Sequence, residues 1–239
     1  MIRKFGLLTV LVGAAMFALA PSGSSAATTL GSTFDPDECE GDTTYIQTVS
    51  PGNSYSVPSD GVITHWTYQA HGTDGTSVKL KVGRVSPSAD LTLNTDVTIV
   101  GESGLQLVPA GSLGSFSTQI PVKAGDRIGE YVNGGFTGCS ISDASFTDHY
   151  NNSDVGVGTT TLFSQENFQQ DISAVWEPDC DNDGRGDDSQ DSDTASCHPA
   201  STTGQRAAAL QRCKKKAKKN HWTKKQRKKC RKKANKLPV

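Results

Sequence analysis

The residues with the most specific chemistry lie in one acidic segment of the chain. They form the pattern D-x-D-x-D-G-x-G-D, which begins at Asp179 and ends at Asp187. Carboxylates at alternate positions can converge on one hard cation when the chain wraps around it, and the sixth position, Gly184, falls where such a loop turns sharply. A set of oxygen ligands favours calcium over zinc or copper. The pattern therefore predicts a loop that binds Ca²⁺.

This loop resembles a single calcium repeat of the thrombospondin type 3 proteins, and its spacing resembles that of an EF-hand loop. Arg185 stands at position seven, which would supply only its backbone carbonyl. The resemblance implies that the other ligands are the side chains of Asp179, Asp181 and Asp183, then Asp187 directly or through water, and finally Asp191 or Gln190. An EF-hand carries Glu at position twelve, where this chain has Gln190, and no paired helices are evident in the flanks. We therefore expect a weak site of the extracellular type.

The same segment has two other interpretations. It could be an acidic, solvated linker, but eight acids between Glu177 and Asp193 stand against Arg185 alone and would repel one another without a cation. Metal binding should therefore order the segment. Arg185-Gly186-Asp187 also spells an integrin-type tripeptide, which is explained more simply as part of the calcium loop.

Charge is divided sharply along the chain. Of its 24 Lys and Arg residues, 16 follow Ser201, whereas all 25 Asp and Glu residues lie between Asp35 and Asp193. The net charge of −1 therefore describes neither part. We expect residues 201–239 to bind anionic cell-surface polymers, lipid head groups or acidic glycans. Sequence-specific binding of nucleic acid is not expected, because no groove-reading motif is present. The tail could instead contact its own acidic body or serve only solubility.

The basic tail also predicts a local structure. Cys213 and Cys230 lie on the apolar stripes of two short helical patterns, and Thr223 with Gln226 matches a capping box. An antiparallel hairpin would place the two cysteines opposite each other. The sequence thus predicts a disulfide-stapled helical hairpin, and the alternative is a disordered lysine-rich tail.

The start of the chain predicts export. Arg3 and Lys4 precede an apolar run, Phe5–Ala20, which is followed by the small residues Ser24-Ser25-Ala26. This is the pattern of a secretory signal peptide over residues 1–26, and the alternative is an uncleaved membrane anchor. We expect an extracellular protein, secreted or associated with the cell surface.

Export changes the interpretation of the cysteines. Six cysteines in an oxidising compartment favour disulfides over zinc or thiol catalysis. Position along the chain favours three pairs: Cys213 with Cys230, Cys180 with Cys197, and Cys39 with Cys139. The main competing arrangement joins Cys39 or Cys139 to Cys180.

The region before the acidic segment predicts an all-β domain. Val62, Trp66 and Tyr68 belong to a run with period-2 alternation, and Val78, Leu80 and Val82 belong to another. Further short strands, among them Tyr55–Val57, are separated by Gly, Pro, Asn and Asp turns. We expect an antiparallel, jelly-roll-like β-sandwich over residues 27–177, then the acidic segment 178–200 and the basic tail 201–239. Trp66 and Tyr68 should lie in the core of the sandwich.

No catalytic motif is recognised, so we expect a non-catalytic binding or structural module. The combination of signal peptide, acidic loop and cysteine-bracketed lysine-rich tail resembles a group of secreted bacterial proteins, and that resemblance implies no activity. Two alternatives stay open. The sandwich could bind a protein or glycan ligand as a carbohydrate-binding module, with Trp66, Tyr68, His65 and His71 as a sugar platform. It could also be an extracellular hydrolase with dispersed carboxylates.

Overall fold

A computed structural model of the protein describes residues 26–37, 40–73, 75–134, 139–192, 202–219 and 222–236, with side chains of the first helix from residue 209 onward. The described residues contain thirteen strands: β1 (Thr28–Ser32), β2 (Thr43–Val49), β3 (Gly61–Gln69), β4 (Thr76–Val85), β5 (Thr95–Glu102), β6 (Gln106–Val108), β7 (Leu113–Val122), β8 (Arg127–Asn133), β9 (Ser140–Ser142), β10 (Thr147–Asn151), β11 (Thr160–Glu166), β12 (Phe168–Gln170) and β13 (Ile172–Pro178). Two helices follow, α1 (Thr202–Lys219) and α2 (Lys224–Ala234).

The strands form two main antiparallel sheets. The smaller sheet has the order β1-β13-β3-β7, and the larger has the order β5-β11-β10-β2-β8-β4-β6. A further short sheet pairs β12 with β9. The predicted mainly β, antiparallel architecture with two C-terminal helices is confirmed, while the jelly-roll connectivity stays a prediction.

The larger sheet closes on itself, which the sequence pattern did not predict. Strand β5 pairs with β11 through Thr95–Thr98 and also with β4, where Lys81 lies opposite Glu102. These pairings join β4, β8, β2, β10, β11 and β5 into a ring. A small apolar cluster that includes Ile46, Ile99 and Phe163 is separate from the main core.

The main core includes buried residues of both sheets. It contains Trp66 and Tyr68, which are 1% and 0% exposed, so their predicted place in the core is confirmed. The second half of their strand, β3, alternates between buried and half-buried residues because it presents one face to the core. The core also contains polar groups, and four carboxylic acids are fully buried: Asp126, Glu130, Asp148 and Asp171.

The basic tail forms the predicted helical hairpin. Cys213 and Cys230 are joined by a disulfide with a Cα–Cα distance of 5.9 Å. Thr223 and Gln226 form the predicted capping box, in which each side chain satisfies a backbone N–H of the other residue. No described helix combines enough length with enough apolar character to cross a membrane.

The other predicted disulfides fall partly outside the described residues. Cys139 is fully buried and disulfide-bonded. Cys39, the predicted partner of Cys139, and Cys197, the predicted partner of Cys180, both lie outside the described residues. The predicted signal peptide also lies outside them up to Ser25.

Candidate metal centre in the acidic segment

The acidic segment is the direct continuation of β13 and folds back against the smaller sheet. Two hydrogen bonds from glutamine side chains hold the segment to β7. Gln119 Nε2 donates to the Gly184 carbonyl at 2.7 Å, and Gln190 Nε2 donates to the Thr118 carbonyl at 2.7 Å. The described part of the segment is therefore attached to the sheet at two positions.

A buried carboxylate organises the second half of the segment. Glu177 is 3% exposed and accepts from the hydroxyls of Thr64 and Ser189 at 2.8 and 2.6 Å. Its other oxygen accepts from the backbone N–H groups of Asp188 and Ser189 at 3.0 and 2.8 Å. All four groups donate to this one carboxylate and hold both of its oxygens in place.

Glycine is required where the segment passes this carboxylate. A Cβ atom at Gly186 would lie 2.5 Å from both Glu177 Oε2 and Thr64 Cγ2. The turn before it depends on Gly184, whose φ of +83° lies in the left-handed region. The two glycines of the G-x-G motif are thus required for different reasons: Gly184 for its positive φ and Gly186 for the close approach of its backbone to Glu177.

Four of the predicted aspartate ligands and the closing acid come together in two overlapping groups. Ligand atoms of Asp179, Asp181 and Asp187 lie within 4.8 Å of one another. The same holds for Asp181, Asp183 and Asp191. Since Asp181 belongs to both groups, the two groups are adjacent parts of one acidic cluster.

Asp187 is the most buried member of this cluster, with 8% of its surface exposed. Its Oδ2 atom accepts from the Cys180 backbone N–H at 3.2 Å and lies 2.8 Å from Cys180 Sγ. Its Oδ1 atom is buried and has no hydrogen-bond partner among the described residues. A buried carboxylate oxygen without a donor is costly, and a bound cation is one way to offset that cost.

The first half of the loop is shaped by its own backbone. Asp179 accepts from the N–H groups of Asp183 and Gly184 at 3.1 and 3.0 Å, and Asp181 also accepts from Asp183 at 3.2 Å. These bonds turn the chain so that the alternate carboxylates share one side. Asp183 in turn accepts from the Arg185 N–H at 2.8 Å.

The remaining predicted ligands have different surroundings. The Gln190 side-chain oxygen lies 3.4 Å from the Gly186 N–H, so both ends of this amide hold the loop. The Arg185 guanidinium is exposed and lies 3.9 Å from Asp183, which is an interaction of little energy at the surface. The Asp191 N–H donates to the Gly186 carbonyl at 3.0 Å, and this bond closes the turn that leads to Asp191. Of the two closing residues considered, Asp191 is therefore the one that lies with the other carboxylates.

Sequence reasoning missed the residues that support this cluster. Glu177 was counted only as one of several acids, and Thr64 and Ser189 were not singled out. The available signal was the position of Glu177 at the end of a buried strand, where an ionised side chain needs several donors.

The helical hairpin forms a second, cationic site. A cavity of about 390 Å³ between the helices is lined by Lys214, Lys218, Arg227 and Arg231 beside the Cys213 end of the disulfide. No acidic residue occurs in residues 201–239. The cleft therefore presents positive charge without a local counter-charge.

The fold and these two sites define an antiparallel β-protein with an acidic loop and a disulfide-stapled basic hairpin. Comparison of the chain with protein-family models, with curated proteins and with solved structures finds no match.

Proposed function

We propose that this protein is an exported, non-catalytic calcium-binding module, in which Ca²⁺ orders the acidic segment against the β-domain. The observation that carries this proposal is the Asp187 carboxylate. It is buried, its Oδ1 has no hydrogen-bond partner among the described residues, and it lies within 4.8 Å of ligand atoms of Asp179 and Asp181.

The donor set favours calcium. Asp179, Asp181, Asp183, Asp187 and Asp191 offer only carboxylate oxygens, which are the ligands of hard cations. A flexible set of more than four such ligands suits Ca²⁺ better than Mg²⁺, which demands near-ideal octahedral geometry. The ion would neutralise the repulsion among these carboxylates and give the buried Asp187 Oδ1 a partner.

The effect of the ion would be structural. The loop is tied to β7 through Gln119 and Gln190 and to Glu177 of β13 through Ser189, so an ordered loop braces the edge of the smaller sheet. Extracellular modules bind calcium with dissociation constants of about 10⁻⁴ to 10⁻³ M. At ten times the dissociation constant, binding adds about 1.4 kcal/mol to the free energy of unfolding.

Calorimetric titration of the exported protein with CaCl₂ tests this proposal. We expect saturable binding that is lost in Asp181→Asn, which removes charge from both carboxylate groups, and weakened in Asp187→Asn. The matched control is Asp96→Asn, an exposed acid on β5, which should bind like the unaltered protein. Absence of binding at millimolar calcium, or equal binding by all variants, would contradict the proposal.

A specific observation favours a second function for the hairpin. Its cleft holds Lys214, Lys218, Arg227 and Arg231 on facing helices, and a disulfide fixes the spacing between those helices. We propose that this cleft binds anionic polymers at the cell surface, with a strong dependence on salt.

Retention on an immobilised anionic polymer, such as a polyphosphate resin, tests the cleft. Changing its four basic residues to Gln should lower the salt concentration for elution more than changing four basic residues outside the cleft, namely Lys215, Lys219, Lys225 and Lys232. Equal shifts in the two variants would show that net charge alone determines retention and would contradict a cleft site.

A further inference from the structure

The start of the described chain lies against the acidic segment. The Ala27 backbone nitrogen donates to Asp188 Oδ2 at 2.7 Å. Strand β1 pairs antiparallel with β13, with Thr28 opposite Trp176. Because β13 continues directly into the acidic segment, this pairing brings the residue before β1 beside it.

Strand β1 is an integral part of the domain. Leu30 is 3% exposed and belongs to the main core. The Gly31 N–H donates to the Ser54 carbonyl at 2.7 Å, and a Cβ atom at Gly31 would lie 2.2 Å from the Ile172 carbonyl oxygen. Removal of β1 would open the core, so any processing of the leader must occur before Thr28.

One bond before this strand that fits a leader-cleavage pattern joins Ala26 to Ala27, the residue whose nitrogen contacts Asp188. It follows the small residues Ser24-Ser25-Ala26. Both alanines are exposed. Cleavage there leaves β1 complete with one residue before it.

We propose that hydrolysis of the Ala26–Ala27 bond creates the mature N-terminus in place, as an α-ammonium group paired with the Asp188 carboxylate. A signal peptidase supplies the activated water, whose oxygen bonds to the Ala26 carbonyl carbon as the C–N bond breaks. Ala26 leaves as a carboxylate with the leader. The Ala27 nitrogen takes up both protons of the water and becomes the ammonium group.

Processing would therefore change the charge of the acidic segment. Residues 177–191 contain seven acids and Arg185 as the one base. The single amide donor to Asp188 is replaced by a cationic group with three donors, which makes a stronger hydrogen bond to a carboxylate. An α-amino group with an ordinary pKa of about 7.7–8.0 is largely protonated at neutral pH. Asp188 is not among the grouped carboxylates, so its carboxylate stays available to the amine when those carboxylates bind calcium.

The test begins with export of the full chain from a secreting host. The intact mass of the released protein should correspond to a chain that starts at Ala27. The rate at which its α-amino group reacts with an acylating reagent is then measured by peptide mapping at pH 7 in millimolar calcium, so that the acidic segment is ordered whether or not its order requires the ion. Pairing with Asp188 should make this reaction about two- to fivefold slower than in Asp188→Asn, whereas Asp96→Asn should react like the unaltered protein.

A second variant guards against an effect of Asp188→Asn on folding. Insertion of one Gly between Ala26 and Ala27 moves the amine away from Asp188 without changing any residue of the domain, and it should give the same faster reaction. A mature chain that starts elsewhere, for example at Pro21 or Thr28, would overturn the proposal. So would equal rates in the unaltered protein and either variant.

Discussion

Glu177 accepts hydrogen bonds from both the backbone N–H and the hydroxyl group of Ser189, at 2.8 and 2.6 Å. This places the carboxylate of a β13 residue inside the turn of the acidic segment. The turn also contains Asp187, whose carboxylate belongs to the candidate metal centre. The strand and the centre are therefore connected through one buried side chain.

Loss of this carboxylate should destabilise the segment. We expect Glu177→Ala to lower the free energy of unfolding by about 2–3 kcal/mol, because the backbone N–H groups of Asp188 and Ser189 lose the carboxylate that accepts from them. Glu177→Gln should cost about 1 kcal/mol, since its amide oxygen can still accept from those N–H groups while its NH₂ faces two hydroxyls. Urea unfolding at pH 7 measures both changes.

The same variants separate support of the segment from direct ligation. In both, calcium affinity should fall while saturable binding persists, unlike in Asp181→Asn. If Glu177→Ala unfolded at the same urea concentration as the unaltered protein, the organising role of Glu177 would be wrong.

The sequence predicted the parts of this fold whose patterns are long. The alternation in β3 and β4 identified both strands and the core position of Trp66. Strands β1, β9 and β12 were missed because three to five residues carry too little periodicity. The stretch from Tyr55 to Val57 was wrongly predicted as a strand. It has the same apolar character and both end residues are buried, but it forms a turn with one isolated bridge.

In the acidic segment too, the sequence predicted what depends on local spacing and missed what depends on distant contacts. Its aspartates were predicted as a set because their spacing is local and regular. The supporting contacts from Thr64, Thr118 and Gln119 come from distant strands, so no local pattern could reveal them. Ring closure through Lys81 and Glu102 was unpredictable for the same reason.

The buried acids predict an unusual dependence of stability on pH. Burial raises the pKa of Asp148 to about 7 and that of Asp171 to about 8, and it raises the pKa of Glu130 well above its usual value. A raised pKa in the folded state stabilises the protein fully below the unfolded value of about 4, and this stabilisation is lost as pH rises through the folded value. As the pH rises from 4 to 8, these three groups should therefore progressively lower the free energy of unfolding.

Glu130 is the group to change, because neither of its carboxylate oxygens has a hydrogen-bond partner among the described residues. We expect Glu130→Met to unfold at higher urea concentration than the unaltered protein at pH 8, with a gain that is larger at pH 8 than at pH 4. Glu130→Gln should change in the same direction. A difference that is constant from pH 4 to 8 would show that Glu130 does not titrate in this range.

A buried lysine holds the closure of the ring. The Lys81 side chain is fully buried and its Nζ contacts Glu102, Asp154 at 2.5 Å and the Val155 carbonyl at 2.9 Å. Lys81→Met should lower the free energy of unfolding by about 2–3 kcal/mol, less than for a fully buried pair, because Glu102 and Asp154 are partly exposed and can be hydrated.

Lys79→Met is the matched control for Lys81. Lys79 also contacts Asp154 at 2.5 Å but is 18% exposed, so its loss should cost less than about 1 kcal/mol. Thermal and urea unfolding of the two variants at equal ionic strength compares them. Equal destabilisation would mean that burial of the charge at Lys81 has no special role.

The helical structure of the hairpin should depend on its disulfide, whereas the stability of the β-domain should not depend on the hairpin. Helix α2 has only 11 residues, and a helix of that length is marginal in water. Its first turn begins with Lys224 and Lys225, which oppose the helix dipole, and Lys and Arg residues on both helices repel one another. The staple closes a separation of 17 residues and should contribute about 3 kcal/mol to the hairpin.

We therefore expect a Cys213→Ser/Cys230→Ser protein to lose most of its helical circular-dichroism signal while the β-domain unfolds at an unchanged urea concentration. Substitution is preferable to a reducing agent, because Cys139 is also disulfide-bonded. High salt should restore part of the helical signal by screening the repulsion, and retention on polyphosphate should fall to that of the variant without the four cleft cations. A hairpin that keeps its helices at low salt without the disulfide would show that packing of α1 on α2 is sufficient, and the cleft would then not need the staple to bind a polymer.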